Sequence, residues 1–350
     1  MRIRRLSNTH LFYIALLGFL VLLAACGGAG VIEQASATPT LDRPIMPTAS
    51  PTSVPDLVYL IRDGGTAEKM AARVEERITT LTTAAGSEFI VLTELSGMDL
   101  EQNAKVVFAL PPDPGINDLV VLFPTVQFVA IGIHGLSEAD NLSRIGPDGL
   151  GTDQVGFIAG VIAAAVTPNW RVGAVSLLNS GEDHASNLAF QNGAKFYCGL
   201  CRSAYPPFHS YPLGVETTSV DISAAKDAIA SLTSLDVDTI FLSPDLSAAA
   251  SAEMFAGSGV SYIGSETPGE DLGEEWIATV RAAPELAIAE IWDRVKMGDS
   301  GKTVSMPIII EDINPNRLTP GREAWVQEML QDLRDGYIDT GVDPITGIAR

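Results

Sequence analysis

The sequence is poor in the residues that most often announce a chemistry. Its 350 residues include three cysteines and four histidines, 19% are charged and 7% aromatic. His10 lies in an amino-terminal segment set apart below, so few imidazoles remain and a histidine-based metal site is not expected. Lysine and arginine number 22 against 43 acidic residues, a net charge of −21. A chain so charged, with no local basic stripe, repels phosphate backbones and anionic surfaces, so nucleic acid is not an expected partner. No Gly-x-Ser-x-Gly elbow occurs. The run Gly298-Asp-Ser-Gly-Lys-Thr303 lacks the first glycine of a phosphate loop and follows a helical stretch instead of a strand. The carboxylates Glu274, Glu275, Asp332 and Asp335 read as solvated helix faces before they read as acid/base pairs. These absences leave no enzyme, cofactor or metal to expect.

What the amino terminus does contain is an address. Arg2, Arg4 and Arg5 precede an uncharged apolar run over residues 11–25 that closes in small residues, the layout of a secretory signal. The run falls short of the about 20 apolar residues of a comfortable membrane span. Leu23-Ala24-Ala25-Cys26, followed by Gly27-Gly28, resembles the lipobox of bacterial lipoproteins. That resemblance implies removal of residues 1–25, a lipid on Cys26 and attachment to the extracytoplasmic face of the cell membrane. The alternative is an uncleaved membrane helix with an incidental cysteine. Cleavage would strip three arginines and no acid, leaving a net charge of −24. Residues 35–55 are dense in Pro, Thr, Ser and Ala without periodicity, so 26–55 read as anchor and extended tether, and folding should begin near Asp56.

From there the chain alternates. Leu57-Val-Tyr-Leu-Ile61, Phe89-Ile-Val-Leu92, Val106-Val-Phe-Ala-Leu110 and Phe128-Val-Ala-Ile-Gly-Ile133 are continuous apolar runs of strand length, which belong to parallel sheets buried on both faces. Helical composition follows the first run over 67–85, with a shorter signal at 118–122. A longer, nearly all-apolar helix is expected over 153–166, its Gly156 and Gly160 suited to close packing against a neighbour. The second half repeats the logic. Strands are expected at 172–178, 239–242 and 260–263, with helices over 183–195, 224–235 and 248–255. A strand at 276–280, a helix over 284–296, a strand at 305–310 and a helix over 323–335 come last. Two doubly wound α/β lobes with a cleft between them account for this pattern. Residues 56–150 with about 281–350 are expected to form the first lobe, and 151–280 the second.

In parallel sheets the loops at the carboxyl ends of strands form the binding crevice. Those loops supply Asp63, Gly64, Gly65 and Thr66 after the first strand, Pro111 with Pro112 and Asp113 after the third, and His134 after the fourth. The second half supplies Asn179-Ser-Gly-Glu182, Ser243-Pro-Asp245 and Ser265-Glu266-Thr267. Neutral donors and a few carboxylates suit a small polar solute and demand no covalent step. Cys198 and Cys201 lie in a compartment that permits disulfides, and a structural bridge is the favoured reading. Free or metal-bound thiols and a redox pair are the alternatives.

Several stretches resemble one family. Asp140-Asn-Leu-Ser-Arg-Ile145 leading into Gln154-Val-Gly-Phe157-Ile-Ala-Gly160, then Val172-Gly173, then Phe190-Gln-Asn-Gly193-Ala-Lys195 and Ile263-Gly264, are similar to the basic membrane protein family, the purine-nucleoside-binding lipoproteins of ABC importers. The resemblance spans roughly residues 56–300. It implies a type I periplasmic-binding fold, a ligand clamped between lobes, and a permease and ATPase as partners. Where that family has Asp-Ser-Phe-Asn, this chain has Asp63-Gly-Gly-Thr66, which keeps the acid and loses the aromatic that stacks on the base. The family's late Gly-Val-Asp corresponds to Gly264-Ser265-Glu266, and its lysine to Arg281. Phe190 falls in its Phe-x-x-Gly pattern and joins the ligand-binding set. The expected function is capture of a small polar solute, a nucleoside among the candidates, for an importer. A sensor of the same fold, signalling through a membrane partner, is the alternative, and a thiol oxidoreductase built on Cys198 and Cys201 is a third.

Overall fold

The computed structural model describes residues 54–62, 68–94, 100–251, 255, 258–267 and 273–350, which belong to the compact unit Ser53–Arg350. The signal, Cys26 and nearly all of the tether lie outside the described residues, as do Asp63, Gly64, Gly65 and Thr66.

The apolar runs become two six-stranded sheets. The first holds β1 (Leu57–Ile61), β2 (Glu88–Leu92), β3 (Ala104–Ala109), β4 (Gln127–Ile131), β5 (Leu142–Ile145) and β11 (Thr303–Val304), in the order β2-β1-β3-β4-β5-β11. The second holds β6 (Val172–Leu177), β7 (Leu213–Thr217), β8 (Thr239–Leu242), β9 (Ser261–Gly264), β10 (Trp276–Ala282) and β12 (Ile308–Glu311), in the order β7-β6-β8-β9-β10-β12. Neighbours run parallel except β10 and β12, which are antiparallel. The sheets share one winding scheme, in which the order reverses between β1 and β3 in one and between β6 and β8 in the other.

Helices cover both sheets: α1 (Glu68–Ala85), α2 (Ile116–Leu122), α3 (Thr152–Val166), α4 (Gly181–Cys198), α5 (Ile222–Thr233), α6 (Pro244–Ala248), α7 (Pro284–Lys296) and α8 (Pro320–Arg334). Met70, Val74 and Ile78 recur at four-residue spacing on α1 and are buried. α3 is apolar nearly all round because nearly all of it is buried. The expected use of its glycines is met: a Cβ on Gly156 would lie 2.0 Å from Ser186 O, and one on Gly160 2.1 Å from Phe190 O. From α4, a Cβ on Gly193 would lie 2.0 Å from Phe157 O. The two helix backbones touch where these side chains are missing.

The chain crosses between sheets three times, at residues 146–151, at Ala283, and at 305–307. The expected return of 281–350 to the first lobe is corrected. α7 and β11 pack on the first sheet, but β12 joins the second and α8 packs on α3. The strand expected at 305–310 begins only at Ile308, as β12, because Ser305, Met306 and Pro307 form the crossing from β11 in the other sheet. Of the helix expected over 248–255, Ala248 closes α6, which Pro244 opens at its first position, residues 249–251 are not helical, residues 252–254 lie outside the described residues, and Phe255 is helical. Cys198 and Cys201 are joined by a disulfide, Cα atoms 4.9 Å apart, at the end of α4.

Candidate functional site

The strand order locates the site before any side chain is considered. A doubly wound sheet opens a crevice where its winding reverses, beyond the carboxyl ends of the strands on either side. Here both reversals face one cleft. β3 ends toward Pro111, β6 leads into Glu182 at the start of α4, and β8 leads into Pro244 and Asp245. All four residues line a cleft with about 130 Å³ of cavity volume, together with Ser265 and Glu266 after β9 and Arg73 on α1. None of its described lining residues is aromatic.

A buried carboxylate builds the floor on the second-lobe side. Ser180 caps α4, its Oγ accepting from Asp183 N at 3.2 Å. The Asp183 carboxylate, 1% exposed, accepts from Leu177 N at 2.9 Å, Ser243 Oγ at 2.5 Å and Asp245 N at 3.3 Å. It thereby ties the ends of β6 and β8 to the first turn of α4. Burial pushes this carboxyl up to about 6, with the Asp245 charge adding to the rise and the three hydrogen bonds opposing it. Glu182, at the cleft face, is also raised, first by burial and then by Asp245, with His134 of the first lobe pulling the other way. Glu182 and Asp245 therefore present two carboxylates to whatever enters.

The opposite wall is held by a contact across the lobes. Arg73 donates from Nη1 and Nη2 to Glu266 Oε2 and Oε1 at 3.0 and 2.5 Å, a bidentate pair. Lys69, one turn earlier on α1, donates to Thr267 O at 2.7 Å. Glu266 is oriented by its own backbone, whose N donates to Ser247 Oγ at 2.9 Å while its O accepts from the same hydroxyl at 3.0 Å.

The expected site residues divide accordingly. Pro111, Glu266 and Arg281 meet in the cleft, His134 stands near Glu182, and Ser243 lies beneath the floor. Asn179 is exposed at the end of β6, outside the lining. Arg281 reaches the cleft but its guanidinium is engaged, Nε with Glu311 Oε1 at 2.6 Å and Nη1 with Glu285 Oε1 at 2.8 Å. It braces β10 against β12 and α7. Phe190 is a correction: it is 0% exposed and stacks on Phe241 at 5.5 Å in the core, because its place on α4 faces α3 and the sheet. Arg73 and Met70 were not foreseen, since they come from the body of a helix and not from a strand-end loop. Glu182 and Asp245 belonged to strand-end loops already noted, and only the fold shows which loop residues face inward.

No known protein-family profile matches the chain, and no curated protein matches it in sequence. Solved structures do match it in fold. An ABC transporter solute-binding protein from Conexibacter woesei superposes with a TM-score of 0.61 at 18% identity, over 81% of this chain and 98% of that one. A periplasmic ribose ABC transporter protein from the same organism gives 0.54 at 16% identity, over 77% and 96%. A LacI-family transcriptional regulator from Enterococcus faecium, with bound ribose, gives 0.51 at 14% identity, over 73% and 97%. The chain thus has the type I periplasmic-binding fold that the family resemblance implies, with the two α/β lobes that its alternation of strands and helices predicts.

Proposed function

We propose that the protein is the solute-capturing component of an ABC importer, held to the extracytoplasmic face of the cell membrane by a lipid on Cys26, and that its cargo is a compact, hydroxyl-rich solute of sugar size. The observation that carries this reading is the pairing of Glu182 with Asp245 at the reversal point of the second sheet, facing the Arg73–Glu266 pair. Both carboxylates are exposed at the cleft wall and are strong acceptors, and hydroxyl groups are the donors that satisfy them without adding charge.

The cavity volume, about 130 Å³, is below the 300–1,000 Å³ of drug-sized sites, which favours a compact ligand. The resemblance to the basic membrane protein family points to nucleosides, whose ribose carries the same hydroxyls. The described lining offers no ring to stack on a base, which favours the sugar end of that chemistry. The permease and ATPase enter as partners on the same reading, supported by the names of the transporter proteins that share the fold. Asp63 to Thr66, which follow β1 in the sequence, are further candidates for the grip.

A thermal-shift panel of pentoses, hexoses and nucleosides on the full chain tests the cargo. A ligand at one hundred times its Kd adds about 2.7 kcal/mol to stability. A sugar is expected to raise Tm, and Glu182→Gln and Asp245→Asn each to abolish the rise. No shift from any member of the panel would refute the reading. Palmitate labelling that survives Cys26→Ala would refute the anchor.

A further inference from the structure

A second cavity, of about 260 Å³, lies against the crossings between the lobes, outside the cleft. Its walls are the 146–151 crossing, Ser305 and Met306 of the third crossing, and residues from the 333–350 segment. Asp153, second residue of α3, belongs to its wall and is 6% exposed. Its Oδ2 accepts from Thr340 Oγ1 at 2.8 Å, while Oδ1 has no hydrogen-bond partner. A buried carboxylate oxygen without a donor is an unfavourable arrangement that asks for a ligand. Burial raises this carboxyl, against the pull of the Thr340 hydroxyl, of the first amides of α3 and of the Arg350 charge.

The charge around the cavity has one sign to spare. Asp148 and Asp339 join Asp153 in the wall, and Arg350 is the only cation among the described lining residues. That guanidinium is engaged by Asp339 at 3.2 Å and Asp343 at 3.9 Å. The carboxylates do not converge as a metal-binding group among the described residues. The occupant that fits therefore carries several spaced N–H donors and a positive charge.

We propose that this cavity is a binding site for a small organic cation, an aliphatic ammonium or guanidinium, whose N–H groups donate to Asp153 Oδ1 and whose charge answers Asp148 and Asp339. The site is placed to act on the cleft. Leu150 and Thr152, at the end of the same crossing, line the cleft wall. The crossings are packed without slack: Gly146 has φ +63, and a Cβ there would lie 2.4 Å from Gly149 O and 2.8 Å from Met306 Cε. A cation that stiffens or shifts this crossing changes solute affinity, and the solute changes cation affinity by the same factor.

Isothermal titration of the full chain in detergent with putrescine, agmatine and ethanolamine tests the site, with 1,4-butanediol as the uncharged counterpart. Saturable one-to-one binding of at least one amine, and none of butanediol, is expected. Asp153→Asn should weaken it tenfold or more. Gln154→Arg, which leaves Asp153 intact and offers it a tethered guanidinium from the cavity wall, should weaken it as much, with unchanged circular dichroism. Absence of saturable heat from all three amines at millimolar concentration overturns the proposal. So does a loss on Glu182→Gln equal to that on Asp153→Asn, which would place the amine in the cleft.

Discussion

Replacing Gly160 by alanine sets two effects of opposite sign against each other. In an isolated helix the change is favourable by about 1 kcal/mol, because alanine restricts the unfolded chain and glycine does not. In this protein the new Cβ would stand 2.1 Å from Phe190 O, with Ala194 N at 2.8 Å. Both obstacles are backbone, so no side-chain rotation relieves them. α3 and α4 must separate by more than an ångström, and the seam they share runs through the main core, where Phe157, Ile158 and Phe190 are buried. Overpacking of this kind costs about 1–3 kcal/mol and the loss of dispersion along a parted seam adds to it. Separation should win, with a net loss of roughly 2 kcal/mol and a Tm lower by about 3 °C. Thermal unfolding followed by far-ultraviolet circular dichroism reads the sign directly. A Tm equal to or above that of the parent would show that α3 and α4 do not meet backbone to backbone, and with it would fall the account of why those glycines are there.

The remaining predictions concern charge and the covalent bridge. Asp183, raised to about 6 by burial, binds a proton in the folded state between its unfolded value near 4 and pH 6, so its contribution favours folding at acid pH and is lost as pH rises through that window. The change amounts to roughly 3 kcal/mol. Asp153, Glu182 and Asp238, also raised by burial, act in the same direction. The urea midpoint should be higher at pH 5 than at pH 7.5, and the reverse order would refute the assignment. Arg73→Ala strands the Glu266 carboxylate, 7% exposed, and should cost about 1–3 kcal/mol, more than the double variant Arg73→Ala with Glu266→Gln. It should also enlarge the radius of gyration in small-angle scattering by freeing α1 from the second lobe; equal stabilities and unchanged scattering would remove the latch. Cys201→Ser opens a four-residue loop and should cost about 2 kcal/mol while leaving solute affinity unchanged. Loss of solute binding would tie the bridge to the cleft.

Buried parallel strands such as β1, β3 and β4 were legible because both faces are apolar, and β6, β8 and β9 for the same reason. β7 was not, since Leu213-Gly-Val-Glu-Thr217 sits at an edge with exposed residues alternating along it. The division between β11 and β12 was hidden because a crossing between sheets leaves no mark in hydropathy. At the site, Pro111 and Glu266 were legible from the rule that loops after strands face the crevice. Phe190 shows the limit of carrying a motif across without its helix face, for a phenylalanine that pairs with Phe241 in the core reads in one dimension like one that lines a pocket. Arg281 shows another, since partners thirty residues away decide whether a guanidinium is available. Arg73 illustrates the converse: it acquires its role from Glu266, 193 positions further on, and no local pattern connects them.

The matching strand orders of the two sheets have a pharmacological consequence. Both lobes contribute to the cleft lining, so a solute is read from two sides, and only a molecule that satisfies both can hold the lobes together. A compound that satisfies Glu182 and Asp245 alone, with bulk where Arg73 approaches Glu266, would occupy one half and wedge the other away. If the proposed function holds, such half-ligands would block uptake, and screening for them needs a readout of closure, because occupancy alone would not tell them from a solute that closes the lobes.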